Sequence, residues 1–382
     1  MKRTESDTEY MARALRLAAK GRGLSSPNPM VGAVIVQGSR VVGEGYHRRA
    51  GGPHAEVVAL RSAGTRAHGA TLYVNLEPCC HTHKRTPPCV PAIKSGGLRR
   101  VVISMRDPNP QVNGRGIRSL SNAGIDVVVG CLRNKAERLN ETYCYRMRTG
   151  RPFVVLKAAM TLDGKIATAG GASQWITGQA ARQHVHRVRS HMDAIMVGIE
   201  TVLRDDPQLT VRLPAQSSNR PGLRQPMRVI LDSRLRLPLT ARVLGQAGQA
   251  SIVVATTAKA ARHRVERLRS LGVTVLVLPA QNGRVSLGAC LARLGRMGIN
   301  SLLIEGGSEL NATALRSGLV NRVALYIAPR LLGGHDAKGA IGGRSPRNLA
   351  GAIPLTDIRI QRLGEDLFIE GKCLSVKGST FR

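Results

Sequence analysis

Short apolar runs rich in valine and isoleucine alternate with helical stretches along the whole chain, the pattern of α/β domains. The first part predicts a helix over 8–21, a strand at Val31–Val36, a helix starting near His54 and a strand at Ala70–Asn75. A helix near Cys89–Ser95, strands at Arg100–Ser104 and Asp126–Val129, and a helix over Asn134–Met147 follow. Gly150 and Pro152 stop that last helix, and a boundary between two domains, 1–148 and 149–382, is placed there. Beyond it the pattern predicts strands at Phe153–Ala159, Ala194–Val197, Arg228–Leu231, Ser251–Ala255, Val273–Leu278, Ser301–Ile304 and Arg322–Ala328. Helices over Gln179–His191 and Ala258–Leu271 lie between them, and the polar stretch Pro214–Pro226 reads as a surface loop.

At 382 residues the chain is long enough for two domains or one large one. A hydrophobic fraction of 42% with mean hydropathy −0.10 fills globular cores and excludes a disordered polyelectrolyte. The longest apolar runs, such as Val31–Val36 and Val273–Leu278, fall far short of the roughly 18 residues of a membrane helix, so no membrane partner is expected. The opening Met1-Lys2-Arg3-Thr4-Glu5-Ser6-Asp7 lacks the apolar centre of a signal peptide, which makes a cytoplasmic location the expectation. Seven cysteines, with Cys79, Cys80 and Cys89 clustered, suggest a metal or redox site in a reducing compartment rather than a disulfide scaffold.

Charge is the loudest feature of the composition. The 57 Lys and Arg against 24 Asp and Glu leave +33, which invites a nucleic-acid partner held by counterion release. Residues 1–150 carry +14 and residues 151–382 carry +19, a nearly even excess per residue, whereas a binding arm would concentrate it. The charge is therefore read as compositional drift toward arginine, with nucleic acid held only by nonspecific charge. Aromatics for stacking bases are scarce, 3 Phe, 6 Tyr and 1 Trp, which disfavours a single-strand platform.

Candidate chemistry concentrates in one stretch. Pro53-His54-Ala55-Glu56 is followed by Glu77-Pro78-Cys79-Cys80 and then by Pro87-Pro88-Cys89. One imidazole and two thiolates suit a tetrahedral Zn²⁺ whose fourth position is open to water, the catalytic arrangement. The ion lowers the pKa of that water toward about 7, and Glu56 can take its proton and return it to a leaving amine. Residues two apart on a helix do not share a face, so His54 and Glu56 converge only at a helix start, which Pro53 fits. His-x-Glu followed by Pro-Cys-x-x-Cys marks zinc deaminases in general. Here position 82 is threonine, and nine residues separate Cys79 from Cys89. A structural zinc loop stays open as the alternative, with Cys80, His81 or His83 as fourth ligand.

Further motifs accompany this stretch: Pro27-Asn28-Pro29, Glu44-Gly45-Tyr46-His47, Arg85-Thr86-Pro87-Pro88-Cys89, and Asp107-Pro108-Asn109-Pro110 with Gly114-Arg115-Gly116. The second half adds Thr161-Leu162-Asp163-Gly164-Lys165-Ile166-Ala167, Ser173-Gln174-Trp175-Ile176-Thr177, Asp205-Asp206-Pro207-Gln208-Leu209 and Ile304-Glu305-Gly306-Gly307. In this order they resemble the bifunctional riboflavin biosynthesis deaminase/reductase family, over nearly the whole chain. The resemblance implies an α/β protein with an N-terminal cytidine-deaminase-like three-layer domain and a C-terminal dihydrofolate-reductase-like domain. It implies zinc-dependent hydrolytic deamination of 2,5-diamino-6-(5-phosphoribosylamino)pyrimidin-4-one. NADPH reduction of the ribosyl group of 5-amino-6-(5-phosphoribosylamino)uracil to ribityl would follow, and a homo-oligomer is expected.

By the same resemblance His54, Cys79 and Cys89 hold zinc and Glu56 shuttles the proton. NADPH contacts fall at Ala159, Trp175, Thr201, Asp205, Ser233 and Gly307, and substrate contacts at Ser173, Arg189, Leu209, Arg212 and Glu305. The loop Cys80-His81-Thr82-His83-Lys84 is one residue longer than the family's usual Ser-His-x-Gly and lacks the glycine before Arg85.

The residues of the second half support this in part. Gly306-Gly307 closes an apolar strand and opens a helix near Ser308, where bare backbone N–H groups can hold phosphate. No Gly-x-Gly-x-x-Gly stands at a strand–helix junction, so a Rossmann site is not expected. The guanidinium forks of Arg189 and Arg212 suit a sugar phosphate. Trp175, without the motif around it, reads as core. A nucleic-acid deaminase, the nearest enzymatic alternative, would leave the second domain unexplained, and a nonenzymatic nucleic-acid binder is disfavoured by the scarcity of aromatics.

Overall fold

The computed structural model describes residues 5–82, 86–213, 224–245 and 250–374, and the chain divides into two compact units, Met1–Arg151 and Pro152–Arg382. In the first unit the strands are β1 (Gly32–Gln37), β2 (Arg40–Tyr46), β3 (Thr71–Leu76), β4 (Arg100–Met105) and β5 (Asp126–Val129). They form one sheet in the order β2-β1-β3-β4-β5, antiparallel through β2-β1-β3 and parallel through β3-β4-β5. The helices are α1 (Glu5–Ala19), α2 (Ala55–Ala63), α3 (Cys89–Ser95), α4 (Arg115–Ser121), α5 (Arg133–Leu139) and α6 (Glu141–Thr149).

Alternate residues of β1 face opposite ways, as a strand's two-residue period requires. Val34 and Val36 pack with Met11 and Ala14 of α1, Ala136 of α5 and Tyr143 of α6. Ala33 and Ile35 pack with Ala55 and Ala59 of α2, Ile93 of α3 and Leu120 of α4. Helices thus cover both faces, which is why the inner strands read as unbroken apolar runs, and the unit is a three-layer sandwich. Asp7 ties α1 to the sheet: its carboxylate accepts from Arg100 (2.9 and 3.0 Å) and from the Tyr73 hydroxyl (2.9 Å), all three buried.

Two expectations change in this unit. The strand β2 is absent from the apolar pattern because Gly43 and Gly45 occupy the face on which α2 lies. A Cβ at either would stand 2.4–2.5 Å from a backbone oxygen of α2. The single helix expected over Asn134–Met147 is two helices, broken at Asn140, whose side chain binds the backbone N–H and C=O of Met30 at 2.8 and 2.9 Å.

The second unit opens with β6 (Phe153–Thr161), β7 (Lys165–Ala167), α7 (Gln179–Arg189), β8 (Ala194–Gly198) and α8 (Ile199–Asp205). Then come β9 (Met227–Leu231), β10 (Ile252–Thr256), α9 (Arg262–Ser270), β11 (Thr274–Val277), β12 (Ala280–Gln281) and β13 (Arg284–Val285). It ends with α10 (Leu287–Arg296), β14 (Ser301–Ile304), α11 (Ser308–Arg316), β15 (Arg322–Ala328), β16 (Lys338–Gly339), β17 (Leu355–Leu363) and β18 (Asp366–Cys373). Nine strands share one sheet in the order β11-β10-β9-β8-β14-β6-β15-β18-β17, parallel from β11 to β15 and antiparallel at β18 and β17. The chain leaves β6, builds outward from β8 to β11, then returns to insert β14 between β8 and β6. That reversal opens a crevice at the carboxyl ends of these strands, where open α/β sheets bind ligands.

Helix α9 is shorter than expected, and α4, α8, α10 and the β17–β18 hairpin escape the pattern altogether. Most of the expected loop Pro214–Pro226 lies outside the described residues.

Candidate functional site

In the first unit His54 caps α2 in extended conformation (ψ 159°), while Glu56 belongs to the helix's first turn. Cys79 follows the end of β3, and Cys89 is the first residue of α3. These four meet. His54 Nδ1 lies 3.2 Å from Cys89 Sγ and 3.4 Å from Cys79 Sγ, and the two sulfurs are 3.4 Å apart. Among the described residues, these three form the one cluster of metal-ligating groups.

Zn–S near 2.3 Å and Zn–N near 2.0 Å in a tetrahedron set donor separations of roughly 3.5–3.8 Å, so the trio fits the ion to within a few tenths of an ångström. The backbone N–H of Cys89 donates to Cys79 Sγ (3.4 Å), favouring the thiolate a metal needs. His54 Nε2 stands 2.9 Å from Thr86 Oγ1, which orients the ring with Nδ1 toward the sulfurs.

Glu56 is buried beside the cluster, and its Oε2 has no hydrogen-bond partner. Burial first, and the neighbouring Cys79 second, push its carboxyl up from the ordinary range, which suits a group that takes up and releases protons. Cys80 and His81 stand outside the ligand trio, and the Cys80 thiol donates to the Gln111 carbonyl at 3.9 Å. His83 and Lys84, the other candidates for the altered loop, lie outside the described residues.

Beyond His54, sequence reasoning assigned no role to Thr86, or to His47, which bridges Asn28 (3.0 Å) and the Pro53 carbonyl (3.0 Å) and stacks edge-on to His54. All three sit inside quoted motifs, which was the available signal.

In the second unit a cavity of about 1030 Å³ occupies the crevice. Ala159, Trp175, Thr201, Asp205, Ser233 and Gly307 line it, as do Ser173, Arg189, Arg212 and Glu305. Leu209 does not: it is buried and in left-handed conformation (φ 53°), next to Thr210, whose carbonyl accepts from Arg189.

On the cavity floor Arg189 grips Glu305 through two bonds, Nε–Oε1 at 2.6 Å and Nη2–Oε2 at 2.8 Å. The fork expected to meet a sugar phosphate is thus engaged by a carboxylate, and Arg212 is the freer of the two guanidiniums, with one bond to Gln208. Burial would raise Glu305, but Arg189 and Lys157 reverse this and hold it at about 2.

Two residues of this floor were missed. Lys157 lies 3.7 Å from Glu305, its amine pushed down by burial. His186 accepts the Arg212 backbone N–H at Nδ1 (3.2 Å) and is held at about 4 by burial and by Arg189 and Arg212. A lone lysine in a strand gives no sequence signal, and nothing in the pattern of basic helix α7 sets His186 apart from His184.

Trp175 is 63% exposed with Arg182 over its ring (4.9 Å), so the core reading it would receive alone is wrong. Indole and guanidinium together make a flat wall against which a planar ring can stack. Ser233 Oγ accepts from the Val285 N–H (3.0 Å), drawing the β12–β13 hairpin against the cavity rim. Gly307 precedes α11, and a Cβ there would meet nothing within 4 Å, so its backbone faces open space.

Comparison with known proteins adds the lineage. A family model described as "RibD C-terminal domain" matches residues 152–369, and one described as "Cytidine and deoxycytidylate deaminase zinc-binding region" matches residues 4–105. The chain is 46% identical to the riboflavin biosynthesis protein RibD of Actinobacillus pleuropneumoniae, over 96% of each. It is 45% identical to that of Escherichia coli, over 98% of this chain and 100% of the other. The chain belongs to the RibD family. Among solved structures a RibD of Acinetobacter baumannii superposes with TM-score 0.89 at 39% identity, covering 97% of this chain and 99% of that one. The Thermotoga maritima deaminase/reductase superposes with TM-score 0.82 at 34% identity and the same coverage. RibD membership makes the chain a bifunctional enzyme of riboflavin biosynthesis, a cytidine-deaminase-like zinc domain followed by a dihydrofolate-reductase-like reductase domain.

Proposed function

We propose that residues 1–148 deaminate 2,5-diamino-6-(5-phosphoribosylamino)pyrimidin-4-one and residues 149–382 reduce the ribosyl group of 5-amino-6-(5-phosphoribosylamino)uracil to ribityl. The observation that carries the reading is the His54–Cys79–Cys89 trio with the buried, unpartnered Glu56 oxygen beside it. Zinc held by the trio would supply a water acidic enough to ionise near pH 7. Glu56, kept protonatable by burial, takes up a proton and delivers it to the exocyclic amine as ammonia leaves.

In the second unit NADPH would supply hydride to C1 of the open-chain ribosyl group. Ala159, Trp175, Thr201, Asp205, Ser233 and Gly307 hold the cofactor, and Ser173, Arg189, Arg212 and Glu305 position the substrate. Lys157, beside Glu305 on the floor, would supply the proton that the nitrogen doubly bonded to C1 takes up as hydride adds to that carbon.

The reaction is proposed to take place in the cytoplasm. The Cys79 and Cys89 pair of the metal-ligating trio suits a reducing compartment, and no described helix is long and apolar enough to cross a membrane. The chain is further proposed to form a homo-oligomer through edge strand β17, where Ile358 and Ile360 are 56% and 67% exposed beside unpaired backbone. Light scattering on the purified chain would return a monomer mass if this is wrong.

The decisive experiment incubates the full chain with the diaminopyrimidinone, with and without NADPH, and identifies products by mass spectrometry. Deaminated product without NADPH and ribityl product with it are expected. Unchanged substrate would refute the first assignment, and ribosyl product persisting with NADPH would refute the second.

A further inference from the structure

Glu77 is a buried carboxylate that is neither in the ligand trio nor the proton shuttle. It follows β3 directly and precedes Cys79 by two residues. Its oxygens accept three backbone N–H groups from a segment thirty to forty residues away: Asp107 (3.2 Å) and Gly114 (3.0 Å) on Oε2, and Ile117 (3.2 Å) on Oε1.

Other contacts tighten the same segment. Asp107 Oδ1 accepts from the Asn109 N–H (2.9 Å) and the Tyr143 hydroxyl (2.8 Å), and Asn109 Oδ1 accepts from the Gln111 N–H (3.0 Å). Val112 is buried in the same apolar cluster as Cys79 and Cys89. Gly116 lies so close that a Cβ there would stand 2.1 Å from the Pro78 carbonyl. Cys80 reaches Gln111 from the other side. The segment is thus folded against the loop that carries Cys79, with Gln111, Asn113 and Arg115 left exposed at its surface.

We propose that Glu77 is a positioning residue for the deaminase: it clamps segment 107–117 against the zinc-ligand loop, making that segment one wall of the pyrimidine pocket. Three amide donors converging on one carboxylate form charge-assisted bonds that a neutral side chain cannot replace. The proposal rests on the deaminase reading given above, and its test separates the two.

Glu77→Gln keeps the shape and turns an NH₂ group toward amide donors. In the full chain it should raise the KM for the diaminopyrimidinone about 10-fold while kcat falls less than about 3-fold, as expected when a binding wall loosens and the reacting groups stay. Zinc per chain and reductase kinetics should match the unaltered chain. Hydrogen exchange should speed up at the amides of Asp107, Gly114 and Ile117.

Tyr143→Phe, which removes only the hydroxyl bond to Asp107, should move KM the same way by less and serves if Glu77→Gln does not fold. Unchanged KM and unchanged exchange would overturn the proposal, as would loss of zinc with KM intact. If the unaltered chain releases no ammonia, the deaminase reading fails on its own, and the exchange rates still decide whether Glu77 clamps the segment.

Discussion

At the residue scale, the proposed deaminase chemistry rests on Glu56. Glu56→Gln should lower ammonia release by about 10²–10⁴-fold, with zinc content and NADPH oxidation on the deaminated product unchanged. Equal loss of both activities would show a folding defect instead. Glu305 makes a pH prediction. Its folded pKa of about 2 lies below the ordinary 4.5, so the ionised form favours the fold. That contribution is complete above about 4.5 and disappears as pH falls through about 2. The denaturation midpoint of Glu305→Gln should therefore lie below that of the unaltered chain at pH 7, and the gap should narrow on acidification. A gap independent of pH would refute the pairing with Arg189. His54, Cys79, Cys89 and Glu56 were legible because ligand chemistry demands those residue types at recognisable spacing. Lys157 and His186 were not, since burial beside Glu305, rather than any neighbour in sequence, sets them apart.

At the element scale, α2 carries His54 into place by lying directly on β2. Gly45→Ala would set a methyl 2.5 Å from the Ala55 carbonyl, so α2 must shift. A loss of about 1–3 kcal/mol in stability is expected from urea denaturation, together with weaker zinc retention against a chelator. Full zinc retention would mean that the helix tolerates the shift without moving His54. The same packing explains why β2 was unreadable: glycines there serve the neighbouring helix and interrupt the apolar alternation that marks a strand. The break at Asn140 was hidden for a similar reason, because its cause is Met30, over a hundred residues away.

At the scale of the whole molecule, each unit has its own sheet and core, so the two activities should separate cleanly. Removing zinc with a chelator should abolish ammonia release and leave NADPH oxidation on the deaminated product intact; joint loss would show that the second reaction needs the metal. The +33 charge has no motif of its own, and RNA binding should disappear at physiological salt, whereas retention there would indicate a dedicated surface. The sequence by itself pointed to the two α/β units, to the His54, Cys79 and Cys89 trio with Glu56 beside it, and to some of the residues that line the cavity, because local periodicity and chemically constrained motifs are written in neighbouring residues. Only the tertiary structure decided that Arg189 grips Glu305, that Trp175 faces solvent in the cavity, and that Glu77 clamps a distant segment. Each of these depends on which buried polar groups meet across the fold, and a buried charge takes whatever partner the packing brings to it.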